Sequence, residues 1–236
     1  MSESLIYITE RFKGSFVTEP LEIQQKLSKI KAFVFDWDGV FNNGFKNASG
    51  SSPFSEVDAM GTNMIRFNHC LRNNVNPFVA IISGESNTAA FTLAKREHFH
   101  SVYCSIKHKM DALDHFCKTH NLKYEEVAFV FDDILDLSVA KVVGLRIMVS
   151  RACNPLLIDF AVQHNMVDYL TANEGNHHAV RETAELIVGL SGLYHETLEN
   201  RIDYTATYQE YLGRRNNQQT MYYTCHESKI IEHRLK

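Results

Sequence analysis

The chain has 236 residues, of which 44% are hydrophobic and 22% charged, and a formal net charge of −4; this length suits one substantial α/β domain with extensions and is short for two full domains. Lys and Arg are scattered along it, which argues against a nucleic-acid partner bound by phosphate neutralisation, and nowhere do 18 apolar residues run together to cross a membrane. The opening MSESLIYITERFKGSF has no basic segment leading into an apolar stretch, so a cytoplasmic location is expected, and five cysteines without CxxC spacing read as reduced thiols.

Residues 1–30 form an N-terminal extension ahead of the first apolar run, Ala32 to Phe35. The Asn-, Gly- and Ser-rich stretch from Phe41 to Val57 reads as an exposed hairpin. From there short apolar runs alternate with amphipathic stretches. Strands are expected at Phe78 to Ile82, Val102 to Cys104, Val127 to Phe131 and Leu145 to Val149. Helices are expected near Asn63 to Leu71, Ser86 to Glu97, Lys109 to Lys118, Leu135 to Val143, Pro155 to Gln163 and Ala179 to Leu190. Gly144 is placed to cap the helix before the last strand. The alternation predicts an α/β fold over residues 31–190, a parallel sheet flanked by helices.

Residues 191–236 are expected to form a helical extension. Leu190, Tyr194, Leu198 and Ile202 recur at every fourth position, and Tyr208, Tyr211 and Leu212 continue an apolar side. Such a stripe docks either on a neighbouring subunit or on the chain's own core.

In open parallel sheets ligands bind beyond the carboxyl ends of the strands, so the polar residues at those ends carry the functional information. The first run leads directly into Asp36-Trp37-Asp38-Gly39, the second into Ser83-Gly84, and the fourth into Asp132-Asp133 with Asp136 close behind. The third is followed by Lys107 and Lys109 at the opening of a helix. Phosphate ester cleavage needs a nucleophile in line, neutralisation of the equatorial oxygens and a proton for the leaving alkoxide. Acids, a hydroxyl and an ammonium over one sheet edge supply all three, and clustered carboxylates suit Mg²⁺. Taken singly, each feature has an ordinary explanation: a turn for Asp-x-Asp-Gly, a helix cap for Ser83, a surface lysine for Lys109. Four in order, each after its own strand, outweigh those explanations.

The ordered phrases DWDGV, IISG, SIKHKMDAL and FVFDDILD resemble the four motifs of the haloacid dehalogenase superfamily. The phrases FSEVDAMGTNMI, VAFVFDDILDLSVAKVVGLRIMVSRACNPL and GNHHAVRETAELI further resemble the branch that contains 3-deoxy-manno-octulosonate (KDO) 8-phosphate phosphatase. The resemblance implies a Rossmann-like core with a small hairpin cap, a homotetramer, Mg²⁺ as cofactor and a small sugar or sugar-acid phosphate as substrate. It implies that Asp36 is the nucleophile, forming an aspartyl-phosphate, and that Asp38 is the general acid and base. Asp36, the Asp38 carbonyl and Asp132 would hold the metal, with Asp133 and Asp136 orienting that shell. Ser83, Gly84 and Lys109 would bind phosphoryl oxygens; the motif register favours Lys109 over Lys107. Asp58, in the phrase after the hairpin, would lie on the substrate side.

Three positions depart from the family pattern. Phe131 replaces the usual glycine before the metal-binding aspartate, where a ring could crowd the metal, and Glu85 stands where an arginine is common. Asn42-Asn43-Gly44 alters the turn after the first motif. Arg181 suggests either a substrate carboxylate ligand or a solvated helix-face residue. Two rivals from other classes are a receiver-like signalling module, disfavoured because the acidic residues follow Lys109 here, and a silent module that binds a sugar phosphate or a protein.

Overall fold

The computed structural model describes residues 3–227 and 229–234. In chain order come α1 (Glu3–Thr9), β1 (Ser15–Phe16), α2 (Pro20–Leu27), β2 (Ala32–Phe35), α3 (Glu56–Asn73), β3 (Phe78–Ile82), α4 (Thr88–Glu97), β4 (Ser101–Cys104) and α5 (Lys109–His120). They are followed by β5 (Val127–Phe131), α6 (Leu137–Ala140), β6 (Leu145–Met148), α7 (Pro155–Gln163), β7 (Tyr169–Leu170), α8 (Ala179–Leu190), α9 (Tyr194–Ile202), α10 (Ala206–Asn216), β8 (Met221–His226) and β9 (Lys229–Glu232).

The described strands form one sheet in the order β1-β7-β6-β5-β2-β3-β4-β8-β9. From β7 through β8 every neighbouring pair is parallel; β1 and β9 close the edges as antiparallel strands. Strands buried on both faces need apolar residues on both, which is why β2, β3 and β5 read as unbroken apolar runs. Alternation then sorts the side chains. Phe33, Phe35, Val79, Ile81 and Val130 join the core under α2, α4 and α8, whereas Val34, Ile82, Phe129 and Phe131 join the core under α5 and α6.

The expected parallel α/β core is present, with β2, β3 and β5 and helices α7 and α8 at the predicted bounds. Local chemistry sets several ends: the Ser55 side chain caps α3, Asn87 caps α4, and Asn74 and Asn121 close α3 and α5 in the left-handed region. Gly144 does not act as the expected left-handed cap. A Cβ there would sit 2.0 Å from the Glu125 carbonyl oxygen, so the position is glycine because two backbone segments meet.

Phe131 does not crowd the acidic end of its strand. Its fully buried ring stacks on Phe129, with centroids 5.4 Å apart and planes at 10°, on the face away from Phe35 and Val130. The strand's period of two sends residue 131 and residue 132 to opposite sides.

The expected hairpin is not formed. Residues 41–55 are irregular, and Glu56 already opens α3. Side chains compete with any ladder there: Asn47 Oδ1 accepts the N–H groups of Ser49 and Ser51, both at 3.0 Å, and Asn42 Oδ1 accepts that of Gly44 at 2.8 Å.

The expected helical tail is divided into shorter pieces and ends in a hairpin. Gly192 and Tyr204 adopt positive φ, the first separating α8 from α9 and the second α9 from α10. Tyr208 and Tyr211 pack on Phe67 of α3, and Asn68 donates to Thr197 Oγ1 at 2.9 Å, so the apolar side covers the chain's own core while Ile202 stays 73% exposed. The β8–β9 hairpin, built from Tyr-, Thr- and Ile-containing runs, then extends the sheet beside β4. Among the described residues all five cysteines are free, and no helix is long and apolar enough to cross a membrane.

Phe131→Ala is expected to cost about 3–5 kcal/mol of unfolding free energy, the range for removing a buried ring from a packed core. Urea denaturation measures this directly; a loss below about 1 kcal/mol would mean the ring is not anchored in that core.

Candidate active site

Strand β2 lies between β3 and β5, so the connections leaving it and returning to it go to opposite sides, and a crevice opens at its carboxyl end. Asp36 leaves β2 at that point, and its backbone N–H still donates to the Val130 carbonyl at 2.9 Å. Asp132 leaves β5 in the same way. The carboxylates of Asp36, Asp132 and Asp136 come within 4.8 Å of one another, and all three residues are buried.

Lys109 is the cation that meets them. Its Nζ lies 2.6 Å from Asp36 Oδ1 and 2.5 Å from Asp136 Oδ1, with the residue only 2% exposed. Burial alone would lower its pKa, but the two carboxylates raise it above the ordinary lysine value, so the ammonium persists. Lys107, two residues earlier, is exposed. Asp136, expected to orient the metal's ligands, lies in the carboxylate cluster itself, and the turn after β5 is closed by its Oδ2, which accepts the Asp133 N–H at 3.2 Å. Asp133 is exposed and spends Oδ1 on the N–H of Ile134 at 2.7 Å.

Three carboxylates against one lysine leave excess negative charge in a buried space. Burial first, and then the Asp36 charge, push Asp132 up to about 9 and Asp136 up to about 7. Asp132 Oδ1 has no hydrogen-bond partner. Clustered hard oxygens, excess charge and an orphaned acceptor fit a divalent cation held by Asp36, Asp132 and Asp136.

Arg151, in the loop after β6, was not anticipated. Its Nε lies 2.9 Å from Asp132 Oδ2, and an Nη donates to the Asn43 carbonyl at 3.4 Å. The guanidinium and Asp132 fill the space beside Gly39, whose φ of +94° suits glycine and where a Cβ would sit 2.0 Å from Asp132 Oδ2. The signal was available, since Arg151 also follows a strand end.

The Asp38 carboxylate is not one of the three in the cluster. Its carboxylate accepts from Ser52 Oγ and pairs with Lys46 Nζ, both from the irregular 41–55 segment. Ser83 is buried at the end of β3 and accepts the Glu85 N–H at 3.3 Å, though the true cap of α4 is Asn87; Gly84 is half-buried and Glu85 exposed. Asp58, expected on the substrate side, is fully buried, and its Oδ1 accepts the N–H of Arg181 at 2.9 Å, tying α3 to the first turn of α8. Arg181 itself pairs with Glu185 along α8, the helix-face alternative. In the altered turn, Asn42 is buried and bonds Gly44, and a Cβ at Gly175 would strike the carbonyls of Asn42 and Gly39 at 2.2 and 2.3 Å. Close backbone contact thus packs the loop after β2 from behind.

No protein-family model matches the chain. It is 28% identical over 174 residues to the 3-deoxy-D-manno-octulosonate 8-phosphate phosphatase of Salmonella typhi, covering 72% of this chain and 85% of that protein. Among solved structures it is similar to the same-named phosphatase of Moraxella catarrhalis, in complex with a magnesium ion, a phosphate ion and KDO, with TM-score 0.63 and 26% identity over 76% of this chain and 98% of the other. The Yersinia pestis phosphatase matches with TM-score 0.60 and 27% identity over 75% and 89%.

The raised carboxyls have a consequence for stability. In the unfolded chain they titrate near 4, so between about 4 and their folded values the native state holds protons that the unfolded state has lost, and their contribution to stability falls as pH rises. A bound cation replaces those protons. Millimolar Mg²⁺ is therefore expected to raise the melting temperature more near pH 8 than near pH 6, and Asp136→Asn to shrink the difference. A melting shift independent of pH would contradict a cation bound within this cluster.

Proposed function

With the haloacid dehalogenase fold of this chain and its likeness to the KDO 8-phosphate phosphatase branch as premise, we propose that it is a phosphoric monoester hydrolase working through an aspartyl-phosphate on Asp36. The observation that carries the proposal is the pairing of Asp36 with Lys109 inside the carboxylate cluster at the sheet's switch point. Asp36 is a carboxylate at a strand end with an ammonium 2.6 Å away, placed to hold the oxygens of an approaching phosphoryl group.

Asp36 attacks phosphorus in line, and the ester oxygen departs with a proton from Asp38. Asp38, now a carboxylate, then takes a proton from the water that cleaves the acyl-phosphate, so one residue serves both half-reactions. Ser83 and the Gly84 N–H, with Lys109, hold phosphoryl oxygens. Asp36, Asp132 and Asp136, with the Asp38 carbonyl, would hold Mg²⁺, which supplies charge neutralisation of the phosphoryl oxygens. The substrate is a small sugar or sugar-acid phosphate, with KDO 8-phosphate as the leading case on the likeness to its phosphatases. Homotetrameric assembly belongs to the same proposal and rests on the resemblance.

Phosphate release from a panel of sugar phosphates and an aryl phosphate, with Mg²⁺, tests this. Asp36→Asn is expected to lower kcat by roughly a thousandfold or more, and EDTA to abolish turnover until Mg²⁺ is restored. A folded, cation-loaded protein that releases nothing from the whole panel would instead indicate a module that binds a sugar phosphate without cleaving it.

A further inference from the structure

The carboxylate of Asp38 is aimed by groups that lie outside the acidic cluster. Ser52 Oγ donates to its Oδ1. Ser52 in turn accepts the Nδ2–H of Asn87 at 2.9 Å. Asn87 Oδ1 accepts the Ala89 N–H at 3.0 Å, the bond that caps α4, and the Ser51 hydroxyl at 2.8 Å. Ser52 is fully buried and Asn87 is 1% exposed.

The donors around Asn87 set the direction of this chain of bonds. The Ala89 N–H, which also reaches Ser51 Oγ at 3.3 Å, and the Ser51 hydroxyl both donate to the near side of the Asn87 amide, which suits an oxygen there and turns Nδ2 the other way. Nδ2–H then occupies a lone pair of Ser52 Oγ, which leaves the Ser52 proton for Asp38. The first turn of α4 thus orients the Asp38 carboxylate through two buried side chains. Lys46 Nζ holds the other oxygen from the partly exposed side.

We infer that Ser52 and Asn87 are positioning residues for the proton transfer by Asp38; the inference rests on the acid-base role proposed above for that residue. Loop anchoring alone would affect every substrate alike. A group that aims a general acid matters in proportion to how much the leaving group needs a proton. An alkoxide leaving group needs it, whereas p-nitrophenolate leaves with little help.

The test compares kcat/KM, which reports on the steps up to phosphoryl transfer, for p-nitrophenyl phosphate and for the best alkyl or sugar phosphate of the panel. Ser52→Ala is expected to lose roughly tenfold to a hundredfold on the alkyl ester and distinctly less on the aryl ester. Asn87→Asp, which keeps a cap acceptor for Ala89 but has no N–H to send to Ser52, is expected to show the same split with α4 intact by circular dichroism. Equal losses on both esters, or none, in both variants would overturn the inference. Asp38→Asn separates this from failure of its premise: a leaving-group split there together with flat Ser52 and Asn87 variants rejects only the positioning role. No split in Asp38→Asn rejects the acid-base role and the inference with it.

Discussion

Packing three carboxylates and one lysine at the end of a parallel sheet is the constraint around which the rest of this structure is arranged. Like charges held within 4.8 Å in a buried space repel strongly, and the cluster exists only because the fold compensates them. Lys109 offsets part of the charge, Arg151 engages Asp132, and burial with the Asp36 charge favours the protonated forms of Asp132 and Asp136. The last two are charges that a divalent cation at the cluster would replace. The cluster is a source of instability in the free protein and a source of affinity for a cation, the same electrostatic energy seen from two sides.

Rigidity around the cluster comes from features with no chemistry of their own. Strands β2, β3 and β5 are buried on both faces, which fixes the points at which Asp36, Ser83 and Asp132 leave the sheet. Phe129 and Phe131 fill one face, Phe33 and Phe35 the other, and Gly39 allows the loop after β2 to pass beside Asp132. Asp58, by binding the first turn of α8, secures the helix on which α3 rests. A buried acid can therefore serve architecture while its neighbours serve chemistry, and burial alone does not tell the two apart.

The irregular 41–55 segment has a distinct role. Where a hairpin was expected there is a loop whose side chains bond one another and reach back to Asp38. Its Asn and Ser residues supply the polar contacts that a paired strand would have committed to its ladder.

Residue pattern alone settled the class of fold, the bounds of the central strands and the four strand-end clusters, because burial on both faces demands unbroken apolar runs and chemistry must begin where those runs stop. Period-two alternation could also have placed the Phe131 ring away from Asp132, since it follows from the strand assignment. Other features depended on which distant segments meet. Arg151 and Asp132 are 19 positions apart, and Ser52 and Asn87 are 35 apart. Nothing in local propensity links them. Asp58 looked like its neighbours in sequence, and only the approach of α8 gave it a partner. The tail's apolar stripe was visible, but its partner, the Phe67 face of α3, was not. Periodicity reports that a surface will be buried, and tertiary packing alone decides against what.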